Sequence, residues 1–115
     1  MDPAVSLKLN SDFRRVYTRG KNAVSPCVVV YCRKNRLERN RTGYTVSKKL
    51  GKAVVRNRVR RRLREIIRLN SAQLRQGYDL VIVARQRAVN VSYQKLEADV
   101  LKCCEQLQLL DRRGT

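Results

Sequence analysis

The 115-residue chain predicts an α+β fold, a small α-β sandwich with elements in the order αββ(β)αβα. Three observations predict it. Short β-branched runs alternate with segments whose apolar residues recur three and four positions apart. Glycine, proline or polar stretches bound most of these segments. The length allows one modest core and no second one.

The elements follow in chain order. Asn10 or Ser11 is placed to cap a short helix over residues 11–19; Phe13, Val16 and Tyr17 share its apolar face and Gly20 supplies the stop. Cys27-Val28-Val29-Val30-Tyr31-Cys32, after Pro26, predicts a buried strand, with Cys27 and Cys32 on opposite faces. Residues 33–41 are polar and charged and predict an exposed turn, in which Arg33, Lys34, Arg36 and Arg39 add general attraction for an anion. Thr42-Gly43-Tyr44-Thr45-Val46-Ser47 resumes extended structure. An additional short strand is expected on the approach to Val54 or around Leu37. A long amphipathic helix follows, with Val55, Val59, Leu63, Ile66 and Ile67 as its core stripe and its end before Gly77. Tyr78-Asp79-Leu80-Val81-Ile82-Val83-Ala84-Arg85 is the clearest central strand. A last helix begins near Ser92 and places Leu96, Val100, Cys103, Cys104 and Leu107 at helical spacing. No repeat, low-complexity tract or proline-rich linker divides the chain. Residues 1–115 are therefore expected to form a single domain, with 1–9 and 111–115 as flexible ends.

Charge points to the partner. The formal net charge is +18, and between Arg41 and Arg68 eleven Lys or Arg residues face one acid, Glu65. Arg56, Arg60 and Arg64 stack at i, i+4 and i+8 on the long helix, with Asn57 and Arg61 beside them. Like charges at that spacing each cost roughly 0.2–0.5 kcal/mol in an isolated helix. An ordinary solvated helix mixes both signs. The guanidinium fork suits phosphate, so the row is a seat for a polyanion, and RNA is the expected one.

Other chemistries are poorly supported. The chain has no histidine, and its nine acids are scattered without a carboxylate constellation, so no catalytic residue is expected. Cys27, Cys32, Cys103 and Cys104 form no Cys-x-x-Cys pair and read as small buried hydrophobes in a reducing compartment; no metal ligand set is expected. The amino terminus lacks the basic start and apolar stretch of a secretory signal, and no run reaches the ~18 apolar residues of a membrane span. A cytoplasmic protein is expected, with no membrane and no small-molecule substrate among its partners.

The run Thr45-Val46-Ser47-Lys48-Lys49-Leu50-Gly51-Lys52-Ala53-Val54-Val55-Arg56-Asn57-Arg58-Val59-Arg60-Arg61 resembles the signature of the bacterial ribonuclease P protein subunit. Asp12-Phe13-Arg14-Arg15-Val16-Tyr17-Thr18-Arg19-Gly20 is similar to that family's first helix, and the strand at Tyr78 to its last strand. The resemblance implies a left-handed βαβ crossover. It also implies a protein partner of a catalytic RNA that removes the 5′ leader from precursor tRNA, with magnesium held through the RNA and no cofactor bound by the protein alone. Carried over by motif, Lys48, Lys49, Arg56, Asn57, Arg58, Arg60, Arg61 and Arg64 would meet the catalytic RNA. Phe13, Tyr17 and Tyr31 would line a cleft for the leader. Arg60 stands where lysine is common, Tyr17 where phenylalanine is common, and the segment before Phe13 lacks the family's frequent basic run. The alternative from composition alone is a ribosomal or other generic structured-RNA-binding protein without an associated ribozyme. A nuclease acting alone and a helix-turn-helix module have less behind them, for want of catalytic residues and of a partner helix.

Overall fold

The computed structural model describes residues 5–7 and 9–111. The chain runs β1 (Val5–Ser6), α1 (Asn10–Arg19), β2 (Lys21–Val24), β3 (Val28–Lys34), β4 (Arg41–Thr45), α2 (Ala53–Asn70), β5 (Tyr78–Ala84) and α3 (Tyr93–Gln106). The strands form one sheet in the order β1-β4-β5-β3-β2. β4 and β5 are parallel neighbours joined through α2, the βαβ unit the resemblance implies. β3 is antiparallel to both β5 and β2.

The sheet is covered on both faces. On one side Val28, Val30, Cys32, Leu80 and Ile82 meet Val59, Leu63, Ile66 and Ile67 of α2 and Leu96, Val100, Cys103 and Cys104 of α3. These helical positions are the apolar stripes of the sequence; Val55 and Leu107, at their edges, are half-buried. On the other side Val16 of α1 packs with Leu7 and Val81, and Phe13, Tyr31 and Val83 surround them.

Several expectations need correction. The additional strand lies neither near Val54 nor around Leu37: Lys48–Leu50 is a 3-10 turn, and residues 35–40 form a loop. The strands not anticipated are β1 and β2. β2 buries Ala23 alone, so it carries almost no apolar signal and owes its shape to pairing with β3. Residues 5–7 lie within the amino-terminal end expected to be flexible, yet β1 pairs in parallel with β4 and Leu7 N–H donates to the Thr42 carbonyl at 3.1 Å. At the other end, Asp111 N–H donates to the Gln73 carbonyl. Residues 1–4, 8 and 112–115, which complete both expected ends, lie outside the described residues.

Neither Asn10 nor Ser11 caps α1. The cap position is Leu9, whose carbonyl accepts from the Asp12 and Phe13 amides, and no side-chain cap bond forms. Gly20 does end the helix, but for lack of room: its φ is −89°, and a Cβ there would lie 2.4 Å from the Cys32 carbonyl oxygen. Cys27 and Cys32 enter the same core rather than opposite faces. Cys27 stands ahead of β3, beside a turn closed by Ser25, so strand alternation does not govern it. All four cysteines are free and buried. Burial pushes the Cys27 thiol to about 11 and the Cys104 thiol to about 12, so both stay protonated and unreactive at neutral pH.

α1 is positioned by a contact that only glycine permits. Phe13 lies on Gly43 of β4, where a Cβ would come within 2.4 Å of the Phe13 ring. Gly43→Ala is expected to lower stability by about 1–3 kcal/mol, as overpacking does, with part recovered by Phe13→Leu. Urea unfolding checks it; an unchanged midpoint would mean that α1 is not seated by this contact.

One end of the sheet is held by charge. Arg41 donates to both Asp79 oxygens, at 2.9 and 2.7 Å, Asn35 donates to the same carboxylate at 3.0 Å, and Arg41 also lies 3.7 Å from Asp12 of α1. Burial alone would raise the Asp79 carboxyl, but the bonds from Arg41 and Asn35 and the charges of Arg41 and Arg33 hold it below its ordinary value. Its contribution to stability is therefore complete above the unfolded carboxylate value of ~4 and is lost as pH falls below it. Unfolding free energies measured between pH 5 and 3 should decline more steeply for the wild type than for Asp79→Asn, which lacks this group; parallel curves would contradict the assignment.

Candidate nucleic-acid interface

The basic surface begins where β4 ends. Ser47 accepts from the Lys49 amide at 3.1 Å and starts the Lys48–Leu50 turn, which buries Leu50 and leaves Lys48 and Lys49 exposed. Gly51, at φ 142°, then redirects the chain through a conformation L-residues rarely adopt. Lys52 occupies the cap position of α2, makes no side-chain cap bond, and no acid stands in the first turn. The positive end of the helix dipole thus faces outward among three lysines, an arrangement that favours an anion.

Beyond it, the predicted residues divide by helix geometry. Arg56, Arg60 and Arg64 run in one line along the flank of the buried stripe. Arg56 Nε donates to the Gly51 carbonyl at 3.1 Å, which ties the line to the turn before it. Arg60 donates to Asn57 Oδ1 at 3.2 Å, so Asn57 orients an arginine as well as offering its own amide. Arg64 lies over the Tyr44 ring, 5.9 Å from its centroid. Such a contact contributes about 0.5–1 kcal/mol when exposed and holds the guanidinium flat. Arg61 is exposed one step further round. Arg58 is not brought together with the row: at 100° per residue it sits about 160° from Arg60.

Two neighbours escaped the sequence reading. Lys52 adds a third exposed lysine, at the cap position of α2 itself. Tyr44 forms the floor under Arg64; its place in a strand beneath an arginine helix carries no local sequence signal. Arg62, despite its charge, serves the fold: it donates to the Val91 carbonyl at 3.0 Å and ties α2 to the segment before α3. Arg68 pairs with Glu65 on the same helix.

A second surface lies on the face of the sheet that carries α1. The helix crosses β4, β5 and β3, with Phe13 on Gly43, Val16 beside Val81 and Tyr17 against Tyr31. Tyr17 and Tyr31 meet edge to face, ring centroids 4.9 Å apart and planes at 89°. The Tyr17 hydroxyl hydrogen-bonds Thr45 Oγ1 at 2.7 Å. Beyond the tyrosines, cross-strand register lines up Val24, Val29, Val83 and Thr45 as one row. Val29, Val83 and Thr45 are half-buried and Val24 is 55% exposed, so the row is an open apolar shelf. Of the three predicted cleft residues, Tyr17 and Tyr31 border this shelf, while Phe13 is half-buried beneath α1 and supports it. Val29 and Val83 were hidden in strands that look uniformly apolar, and Val24 in a strand with almost no apolar signal.

The two surfaces are continuous, since Thr45 at the shelf's end precedes Lys48 by three residues. Among the described residues no group of three or more His, Cys, Asp or Glu could hold a metal ion, and no helix is long and apolar enough to cross a membrane.

Comparison with known proteins gives a consistent picture. The family model described as Ribonuclease P matches residues 1–108. The ribonuclease P protein component of Alkaliphilus oremlandii is 41% identical over 105 residues, covering 91% of this chain and 92% of the relative. That of Caldanaerobacter subterraneus is 43% identical over 107 residues, covering 93% and 92%. The RNase P protein of Staphylococcus aureus superposes with a TM-score of 0.86 at 29% identity, over 94% of this chain and 99% of that one. The protein from Thermotoga maritima gives 0.79 at 32% identity, over 84% and 92%.

Proposed function

The chain belongs to the ribonuclease P protein family, and on that premise we propose how its two surfaces share the work of tRNA 5′ processing. The family's holoenzyme is an endoribonuclease, and its protein acts with an RNA in a ribonucleoprotein. The comparisons give no support to the ribosomal or generic RNA-binding alternative.

The catalytic RNA docks on the start of α2. The observation that carries this reading is the line Arg56, Arg60 and Arg64 continuing from an uncapped helix start ringed by Lys48, Lys49 and Lys52. Those groups recognise phosphates placed by a folded RNA, through shape more than through base identity. Each phosphate neutralised releases counterions, so binding weakens steeply with salt. The single-stranded leader of precursor tRNA lies on the shelf beside Tyr17 and Tyr31, whose ring faces and edges stack bases of any identity. A protein that must accept many leaders gains from that tolerance.

No residue of this chain performs the bond cleavage; magnesium, held by the RNA, supplies the metal chemistry there. The protein's part is to screen phosphate repulsion and hold the substrate by its leader. A cytoplasmic location agrees with four unpaired buried thiols.

Cleavage of a 5′-extended precursor tRNA at low magnesium tests the first surface. The RNA subunit alone should be slow, the wild-type protein should stimulate it, and Arg56→Ala/Arg60→Ala should lose most of that stimulation. Its affinity for the RNA should fall tenfold or more and depend less on salt. A folded wild type that fails to stimulate its cognate RNA would overturn the reading. For the second surface, Tyr17→Ala and Tyr31→Ala in the holoenzyme should each weaken precursor binding by roughly 5- to 100-fold and leave mature tRNA binding unchanged. Thermal melts identify any variant that has merely unfolded. Equal losses on both substrates would contradict a leader contact.

A further inference from the structure

At the end of the sheet opposite the start of α2 lie two adjoining grooves of about 770 and 290 Å³, and both are lined by Lys34, Arg75 and Tyr78. Arg36 joins these cations in the larger groove, and Arg19, Lys21 and Arg33 in the smaller. None of the six is ion-paired among the described residues, and the lining holds one carboxylate, Asp111. Six like charges lining two adjoining grooves repel, which an incoming polyanion would relieve.

The walls are rigid. Asn40 donates from its amide nitrogen to the Arg75 carbonyl at 2.9 Å and accepts from the Tyr78 amide at 2.8 Å. Asn35 N–H donates to the Gly77 carbonyl at 2.9 Å, and its side chain accepts from the Leu37 amide at 2.8 Å. Gly77, at φ 95°, allows the Leu37 carbonyl to approach so closely that a Cβ would lie 3.1 Å from it. The loop between β3 and β4 is thereby clamped to the segment before β5. A groove that keeps its shape, is rich in cations and includes a half-exposed tyrosine suits single-stranded RNA, whose phosphates follow the charges while a base rests on the ring.

Its position names the strand. β2 joins the shelf to the groove: Val24 is the shelf's exposed end, and Lys21 lines the smaller groove three residues away. At ~3.3 Å per residue the two surfaces lie roughly 10 Å apart along that edge. We propose that the groove is a second leader subsite, which takes the distal part of a long 5′ leader after it passes the tyrosine shelf and rounds β2. This rests on the leader reading above and extends it.

The test uses holoenzyme assembled with Lys34→Ala/Arg75→Ala, whose two side chains are exposed and shared by both grooves. Precursor tRNAs with a leader of a few nucleotides and with a long unstructured leader are compared over a salt series. The long-leader substrate should bind about tenfold or more weakly to the variant, with its salt dependence reduced by about 1.4 in slope, as for two lost single-strand phosphate contacts. The short-leader substrate should bind as it does to the wild type. Equal weakening of both leaders would overturn the subsite and mark the groove as a contact of the catalytic RNA. No weakening of either would also overturn it, as would a wild type that binds long and short leaders alike. Wild-type cleavage of the short-leader substrate separates the outcomes: if that fails, the function itself is wrong; if it succeeds, only the subsite is.

Discussion

Self-repulsion is the constraint under which everything else here is arranged: a net charge of +18 on 115 residues must fold before any RNA neutralises it. Four of the few carboxylates sit where one anion joins two elements. Asp12 and Asp79 meet through Arg41 and bind α1, β4 and β5 together. Asp99 accepts from the Cys27 amide at 2.9 Å and pairs with Lys95, joining α3 to the entry of β3. Glu97 accepts from Asn70 at 3.0 Å and joins α3 to the end of α2. With these four acids engaged inside the fold, most cations of α2 and of the groove face outward, although Arg68 keeps Glu65 as its partner and Asp111 lines the groove. Placement of anions, more than placement of arginines, leaves these faces basic.

The second organising feature is the way α1 lies on the sheet. Because Gly43 accepts the Phe13 ring, the helix crosses the strands and divides that face in two. On one side remains the row from Val24 to Thr45, bordered by tyrosines and continuous with the arginine helix. On the other lies the Arg33, Asp79 and Arg41 row, which leads toward the basic groove. A larger residue at position 43 would lift the helix and merge these surfaces.

Periodicity in the chain is enough for the three helices, the long strands and most of the core. It fails where tertiary contact decides. β2 is an edge strand with one buried alanine, invisible until β3 is there to pair with it. Cys27 departs from strand alternation because a serine turn precedes it. The arginine helix announces its charge plainly, yet nothing local separates Arg62, tied to the Val91 carbonyl, from Arg60, turned outward. Phe13 and Tyr17 share an apolar stripe, and only the sheet beneath shows that one supports and the other borders the shelf. The remaining apolar surface, Val24 with Val29 and Val83, comes from three separate strands and exists only in cross-strand register.

The uncapped start of α2 leaves a place where a bound anion would add to stability. Serine, aspartate or asparagine at the cap position of a helix contributes about 1 kcal/mol, and Lys52 forgoes it. An anion bound there supplies the missing acceptor, and any ligand that prefers the folded state adds stability by mass action. On the reading proposed above, RNA docked at this helix start would make the folded protein more stable in the ribonucleoprotein than in isolation. A variant given a capping serine or aspartate at this helix start would gain stability in isolation and, on the same reading, lose affinity for the RNA.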